Sequence, residues 1–206
     1  RDGRLGEAVG TTLLRMSAAL AVAGLPAVAI GLVAGWRESA RRLVDPFLSA
    51  GYAVPKIATL PLFLAVFGIG ETSRVLIIAA SAFFPLAISA LSGARRISLV
   101  HFEIARHCGA SRWRTFASVV WPGALPSVLT GLRISATLAL VMAIAIEFVA
   151  ASRGIGTLLW RSWQTFAIDD LYVALIAASL LGIVLQALIE SASRRLLRWA
   201  PDRSAA

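Results

Sequence analysis

The chain reads as an all-α membrane protein, and three observations predict this. Of its 206 residues 58% are hydrophobic and only 15% charged, a balance too apolar for an ordinary water-soluble domain. Apolar runs long enough to cross a bilayer recur along it, broken by short polar stretches. Its formal charge of +9 comes almost wholly from arginine, Lys56 being the sole lysine. These arginines gather beside apolar runs and do not interleave with aromatics, which fits membrane orientation better than nucleic-acid binding.

A span needs about 20 mostly apolar residues. The first candidate covers roughly 9–36, where Gly24, Gly31 and Gly35 allow close helix contacts. A second covers about 47–69, with a kink expected from Pro55 and Pro61. A third covers about 75–91 and contains Pro85; a fourth covers about 126–151; a fifth covers about 171–192. Between the last two, Gly154, Gly156 and the run Leu158, Leu159, Trp160 and Trp163 predict a short amphipathic helix along the outer interface. Asp169 or Asp170 is expected to cap the last span at Leu171.

Arginine placement assigns the sides. Arg37, Arg41 and Arg42 follow the first span; Arg95, Arg96, Arg106, Arg112 and Arg114 follow the third; Arg194, Arg195, Arg198 and Arg203 form the tail. Arg74, Arg153 and Arg161 thinly populate the other loops. By the positive-inside rule the three rich regions, including the C-terminus, are cytoplasmic. Five spans with a cytoplasmic tail leave Arg1 outside, so a sixth span is expected ahead of it. Trp36, Trp160, Trp163 and Trp199 fall near the predicted membrane edges.

The most informative polar stretch is the cytoplasmic loop at about 95–122. Ile97, Val100, Ile104 and Cys108 recur at helical spacing as an apolar stripe, with Glu103 and His107 on a polar flank. Cys108 is expected to be a small packing residue on that stripe. Gly109 can end the helix in a left-handed conformation and Ser111 can cap a second short helix carrying Trp113 and Phe116. Ala105 and Gly109 leave a face on which another protein could approach the backbone closely.

This loop resembles the cytoplasmic coupling loop of binding-protein-dependent ABC transporter permeases, whose pattern runs E-A-A-x3-G-x9-I-x-L-P. The matching positions are Glu103, Ile104, Ala105, Gly109, Val119, Trp121 and Pro122, of which Ile104, Val119 and Trp121 depart from the pattern. The stretches LVDPFL, VFGIGETSRVLIIAASAFFP, GASRWRTF (which includes Ala110 and Ser111), LPSVLTGLRI and SRGIGTLL extend the likeness along nearly the whole chain, in order. They resemble the permease branch that serves nitrate, aliphatic sulfonate and taurine importers.

The resemblance implies a type I ABC importer transmembrane domain, with 1–206 as a single permease domain. It also implies a second permease copy, two cytoplasmic ATPase subunits that bind ATP and Mg, and an extracytoplasmic solute-binding protein. In a bacterial inner membrane, Glu103, Ile104, Ala105, Gly109, Ala110, Ser111 and Pro122 would then couple the ATPase to the spans. No phosphate-binding loop, GxSxG or HExxH motif occurs in the chain, so it is expected to hold no cofactor and to hydrolyse no ATP itself.

Ionisable residues inside spans are costly and functionally suggestive. Glu147, in the fourth span, reads either as a lining or gating residue of the translocation pathway or as a carboxylate paired with a neighbouring helix. Arg133 reads as an orientation anchor that snorkels to water or as a residue of the pathway, and Lys56 likewise. Arg15 reads as an outer headgroup residue or a partner of Glu7. His101, His107 and Cys108 lack a further ligand and make a poor metal site. The rival functions are an ion-coupled secondary transporter or an intramembrane enzyme using Glu147. Neither internal repeats nor a second catalytic group supports them.

Overall fold

A computed structural model describes residues 2–150 and 152–198. Nine α-helices account for nearly all of the described residues: α1 (Asp2–Trp36), α2 (Glu38–Ala53), α3 (Leu60–Phe67), α4 (Glu71–Arg95), α5 (Leu99–His107), α6 (Arg112–Thr115), α7 (Trp121–Ala150), α8 (Ile155–Gln164) and α9 (Ile168–Leu196). The tail positions Trp199 and Arg203, Arg1, and the end of the fourth predicted span at Ala151 lie outside the described residues.

Four helical stretches are long and apolar enough to cross a membrane: 4–36 in α1, α4, the continuous 112–150 stretch ending in α7, and α9. The predicted second span is not one helix. α2 stops at Ala53, a 3-10 turn spans Lys56–Thr59, and the two halves meet at 88°, so a fifth crossing exists only if the bent pair counts as one. Pro55 causes the break, because it removes an N–H and forces Val54 to extended geometry (φ −65°, ψ 126°). The Lys56 ammonium then folds back onto the freed carbonyls of α2, donating to Gly51 and, at 2.7 Å, to Val54. It lies 4.7 Å from the centre of the Phe84 ring. Lys56 thus caps the C-terminal end of α2.

α4 is the central helix, packed between α1 and α7; α9 lies outermost. Of the most apolar stretch of α4, 56% is buried, against 6% for α9. The α1–α4 contact is built from small residues. A methyl group at Gly31 would strike the Ala87 carbonyl and the Ala90 side chain, and one at Gly35 would strike Leu91 and Ala94. Lipid tails are as apolar as leucine, so such close backbone approach, and not exclusion from water, drives this association. Gly24 makes no such contact; nothing lies within 4 Å of its would-be methyl, contrary to the sequence expectation.

The chain direction gives the bundle two distinct ends. α1 and α4 run parallel, since Arg15 meets Glu71 at one end and Gly35 meets Ala94 at the other. α7 returns, and α9 runs back against it, with Arg133 bonded to Gln186 and Glu190. Arg37, Arg95, Arg106, Arg112 and Arg194 therefore gather at one end, together with α5 and α6. α8 lies at the other, as the predicted short interfacial helix. α9 begins one turn early: Ala167 stands at its N-cap position, and Asp169 and Asp170 lie within its first turn.

Candidate functional site

At the arginine-rich end, α5 and α6 form an elbow whose geometry follows from three residues. Ala105 is the point where α5 lies against its neighbours. Gly109 has φ +66°, and the Gly109 N–H bonds to the Arg106 carbonyl (3.0 Å) while the Ala110 N–H reaches the Ala105 carbonyl (2.9 Å). This paired 5→2 and 6→1 closure ends a helix in a left-handed residue, which glycine adopts without a side-chain clash. Ser111 then starts the next helix, its hydroxyl accepting from the Arg114 N–H at 3.3 Å. Both sequence expectations for the turn hold.

The second helix of the elbow is not separate, however. α6 runs through a single π turn (Phe116–Val120) into α7, giving one continuous helix of 39 residues. Pro122 cannot donate to the carbonyl four residues back, and the Trp121 N–H reaches Phe116 instead, which places the extra residue of the π turn there. Movement of the elbow would therefore be carried directly into a membrane-crossing helix.

The predicted apolar stripe is split: Ile97 packs against the core and the other three residues turn outward. Phe102 packs on the same core as Phe116 and Ile97, and Ala105 is buried (8% exposed), whereas Val100, Ile104 (56% exposed) and Cys108 turn outward with Leu99. Cys108 is consequently not a packing residue. The physical reason is the tight turn at Gly109, which folds α5 so that its smallest face meets the π turn and leaves its branched side chains outside. Trp113 (76% exposed) adds to this outward surface, stacked on Phe116 at 5.9 Å, and Phe116 in turn lies 5.9 Å from Trp36 at the end of α1. Glu103 and His107 are exposed on the polar flank, and Pro122 is half-buried at the base.

At the opposite end a polar cluster is enclosed by the helices. Glu147 is 1% exposed and Arg15 5% exposed. The Arg15 guanidinium donates to Glu147 (2.8 Å), to Glu71 twice (2.6 and 2.7 Å) and to the Arg153 carbonyl (2.6 Å). The other Glu147 oxygen accepts from the Gly156 N–H at 2.9 Å. Thr12 donates to the same carboxylate and accepts from the Ile155 N–H at 3.0 Å. Four helices meet here: α1, α4, α7 and the start of α8. The Glu147 carboxylate and the Thr12 hydroxyl thus satisfy the Gly156 and Ile155 N–H groups, which have no partner within α8. Gly154 (φ +129°) and Gly156 carry no side chain because a methyl group at either would collide with Glu147.

Arg15 therefore does not pair with Glu7; that carboxylate binds Arg153 at 3.0 Å. The sequence reading missed Thr12 and Glu71 as parts of this cluster. A signal existed in the opposite charges of Arg15 and Glu147 within apolar spans, each of which needs a partner at membrane depth. Arg133 bonds Gln186 (2.8 Å) and Glu190 on α9, so it joins two helices as well as anchoring one. Among the described residues, no three His, Cys, Asp or Glu side chains converge as metal ligands.

Comparison with known proteins agrees with this architecture. The chain is 34% identical to the taurine transport system permease protein TauC of Escherichia coli, over 96% of this chain and 72% of that protein. It is 31% identical to the putative aliphatic sulfonates transport permease protein SsuC of Bacillus subtilis (82% and 62%). It is 27% identical to the nitrate import permease protein NrtB of Synechocystis (91% and 68%). The fold superposes on a chain of the inward-facing MetNI methionine ABC transporter with a TM-score of 0.71 at 19% identity, covering 96% and 94% of the two chains. The profile of one transport family matches residues 27–199. The chain thus belongs to the binding-protein-dependent transport system inner membrane components, the permeases of ABC importers.

Proposed function

We infer that this permease forms the membrane pathway for a small sulfonate, taurine-like or nitrate-like solute, the chemistry named for its relatives. It would act with a second permease copy, two cytoplasmic ATPase subunits that hold ATP and Mg, and an external binding protein that delivers the solute. The arginine-rich end, including the C-terminal part of α9, faces the cytoplasm. The whole of 1–206 acts as one permease domain, with 95–122 as its coupling loop.

The observation that carries this reading is the outward apolar surface of the elbow. Leu99, Val100, Ile104 and Trp113 are exposed beyond the end of the bundle, on a helix held by the Gly109 turn and continuous with α7. An exposed apolar patch on a rigid mount, rimmed by Glu103, His107 and Arg114, fits a groove on another protein. Glu103, Ile104, Ala105, Gly109, Ala110, Ser111 and Pro122 either form this surface or fix its shape. ATP-driven closure of the ATPases would pull the elbow, and the bundle would rock between two states stabilised differently by ATP and by the binding protein.

Of the two readings of Glu147, the carboxylate paired with neighbouring helices is the one its bonding supports. Its oxygens are committed to Arg15, Thr12 and Gly156, so it holds these ends of α1, α7 and α8 together. The test is reconstitution of the permease with its ATPase and binding protein in liposomes, measuring uptake of labelled taurine and methanesulfonate. ATP-dependent uptake that requires the binding protein supports the reading; uptake driven by a proton gradient without ATP would overturn it.

A further inference from the structure

Behind the elbow, a cavity of about 440 Å³ opens between the last turn of α4, the start of α5 and the π turn below α7. That size lies in the range of about 300–1,000 Å³ usual for small-molecule sites. Its polar lining consists of Arg96, Ser98, His101, Ser118 and Ser127, with no acidic residue. Gly93 shapes one wall, since a methyl there would displace the Ser127 side chain. The neighbouring cavity, about 270 Å³, shares His101 and Ser118 and adds Arg114 and Thr115.

Several of the protein's other arginines are already committed. Arg15, Arg41, Arg42, Arg74, Arg133 and Arg153 are each paired with a carboxylate. Among the described residues, the side chains of Arg96, Ser98, His101, Ser118 and Ser127 form no hydrogen bond or ion pair. Five uncommitted donors, one of them a permanent cation with a planar fork, converge on one concave space that no carboxylate enters. That set matches a tetrahedral or trigonal oxyanion, which accepts several hydrogen bonds and one charge.

We propose that the cavity lined by Arg96, Ser98, His101, Ser118 and Ser127 binds an oxyanion of the sulfate, sulfonate or phosphate class. The source is either a free small anion or the phosphate of a phospholipid headgroup. An anion there joins the end of α4 to the elbow, and its occupancy fixes how the elbow sits against the bundle. The proposal does not depend on the transported solute or on attachment of an ATPase, because it concerns binding to this chain alone.

The test uses the full-length permease without its ATPase, in phosphatidylcholine nanodiscs at ionic strength held constant with sodium chloride. Inorganic sulfate is titrated by calorimetry against the unaltered protein, Arg96→Gln, Arg96→Lys and Ser127→Ala. Saturable binding weakened about tenfold or more by Arg96→Gln, equal to about 1.4 kcal/mol, less so by Ser127→Ala, and largely kept in Arg96→Lys assigns the site to free anions. If phosphatidylglycerol in the disc abolishes sulfate binding, and Arg96→Gln lowers the phosphatidylglycerol retained through purification, the headgroup is the occupant. Sulfate binding indifferent to both Arg96→Gln and Ser127→Ala overturns the proposal. So does the absence of both sulfate binding and Arg96-dependent lipid retention. Unchanged melting temperatures of the variants separate lost binding from misfolding.

Discussion

Arg15 and Glu147, 132 residues apart in sequence, meet at 2.8 Å inside the bundle. The contact closes a polar network through Thr12, Glu71, Arg153 and Gly156 that no single helix could satisfy. Removing one partner of a buried ion pair strands the other and costs about 3–5 kcal/mol. Glu147→Ala is therefore expected to lower the melting temperature strongly, as followed by size-exclusion of heated, detergent-solubilised protein. Glu147→Gln, which keeps hydrogen-bonding capacity toward Thr12 and Gly156, should lose less. Equal, small losses in both variants would contradict the structural importance of the pair.

The glycines at 154 and 156 give an independent probe of the same cluster. Gly154 combines φ +129° with a wall formed by the Glu147 carboxylate, so Gly154→Ala adds both backbone strain and a collision. Strained backbone of this kind costs about 1–3 kcal/mol. Gly24→Ala is the matched control: its methyl meets nothing within 4 Å in mid-helix, where alanine is favoured by about 0.5–1 kcal/mol. The expected order of stability in the same melting measurement is Gly24→Ala at or above the unaltered protein, and Gly154→Ala well below it.

How far the sequence carried these sites depends on whether the controlling interaction is local. The Gly109 turn, the Ser111 cap and the α8 helix were legible because each is decided within a few residues. The span boundaries were legible to within a turn or two, except where Pro55 broke the second. What periodicity could not supply was the side from which a partner comes. The spacing of Val100, Ile104 and Cys108 marked a stripe, but only the folding back at Gly109 decides that Ala105 turns inward and Ile104 outward. Likewise Arg15 had a near sequence neighbour in Glu7, yet the tertiary fold offered the exposed Glu71 and the buried Glu147 together.

The outward stripe leads to a prediction that separates docking from folding. Ile104 is exposed and Ala105 is not, although they are adjacent. Ile104→Arg should leave the folding stability within about 0.5 kcal/mol of the unaltered protein, as surface substitutions do, while abolishing co-purification of the ATPase. Ala105→Leu should instead disturb the packing of α5 and lower the melting temperature. Retention of the ATPase by Ile104→Arg would remove the elbow from the ATPase interface.

Gly109 tests whether shape as well as surface matters at the elbow. A would-be methyl at this position meets nothing within 4 Å, so the only penalty for a side chain is the left-handed conformation at φ +66°. Asparagine tolerates that conformation and β-branched residues do not. Gly109→Asn should keep solute uptake and stimulation of ATP hydrolysis in proteoliposomes near the unaltered level. Gly109→Val must either strain the turn or reopen it, releasing the Ala110 bond to Ala105, and is expected to lose coupling while the bundle stays folded. Neither side chain meets another atom of this chain, so within the permease a difference between them comes from the backbone. Equal activity in the two would mean that the turn serves merely to connect helices.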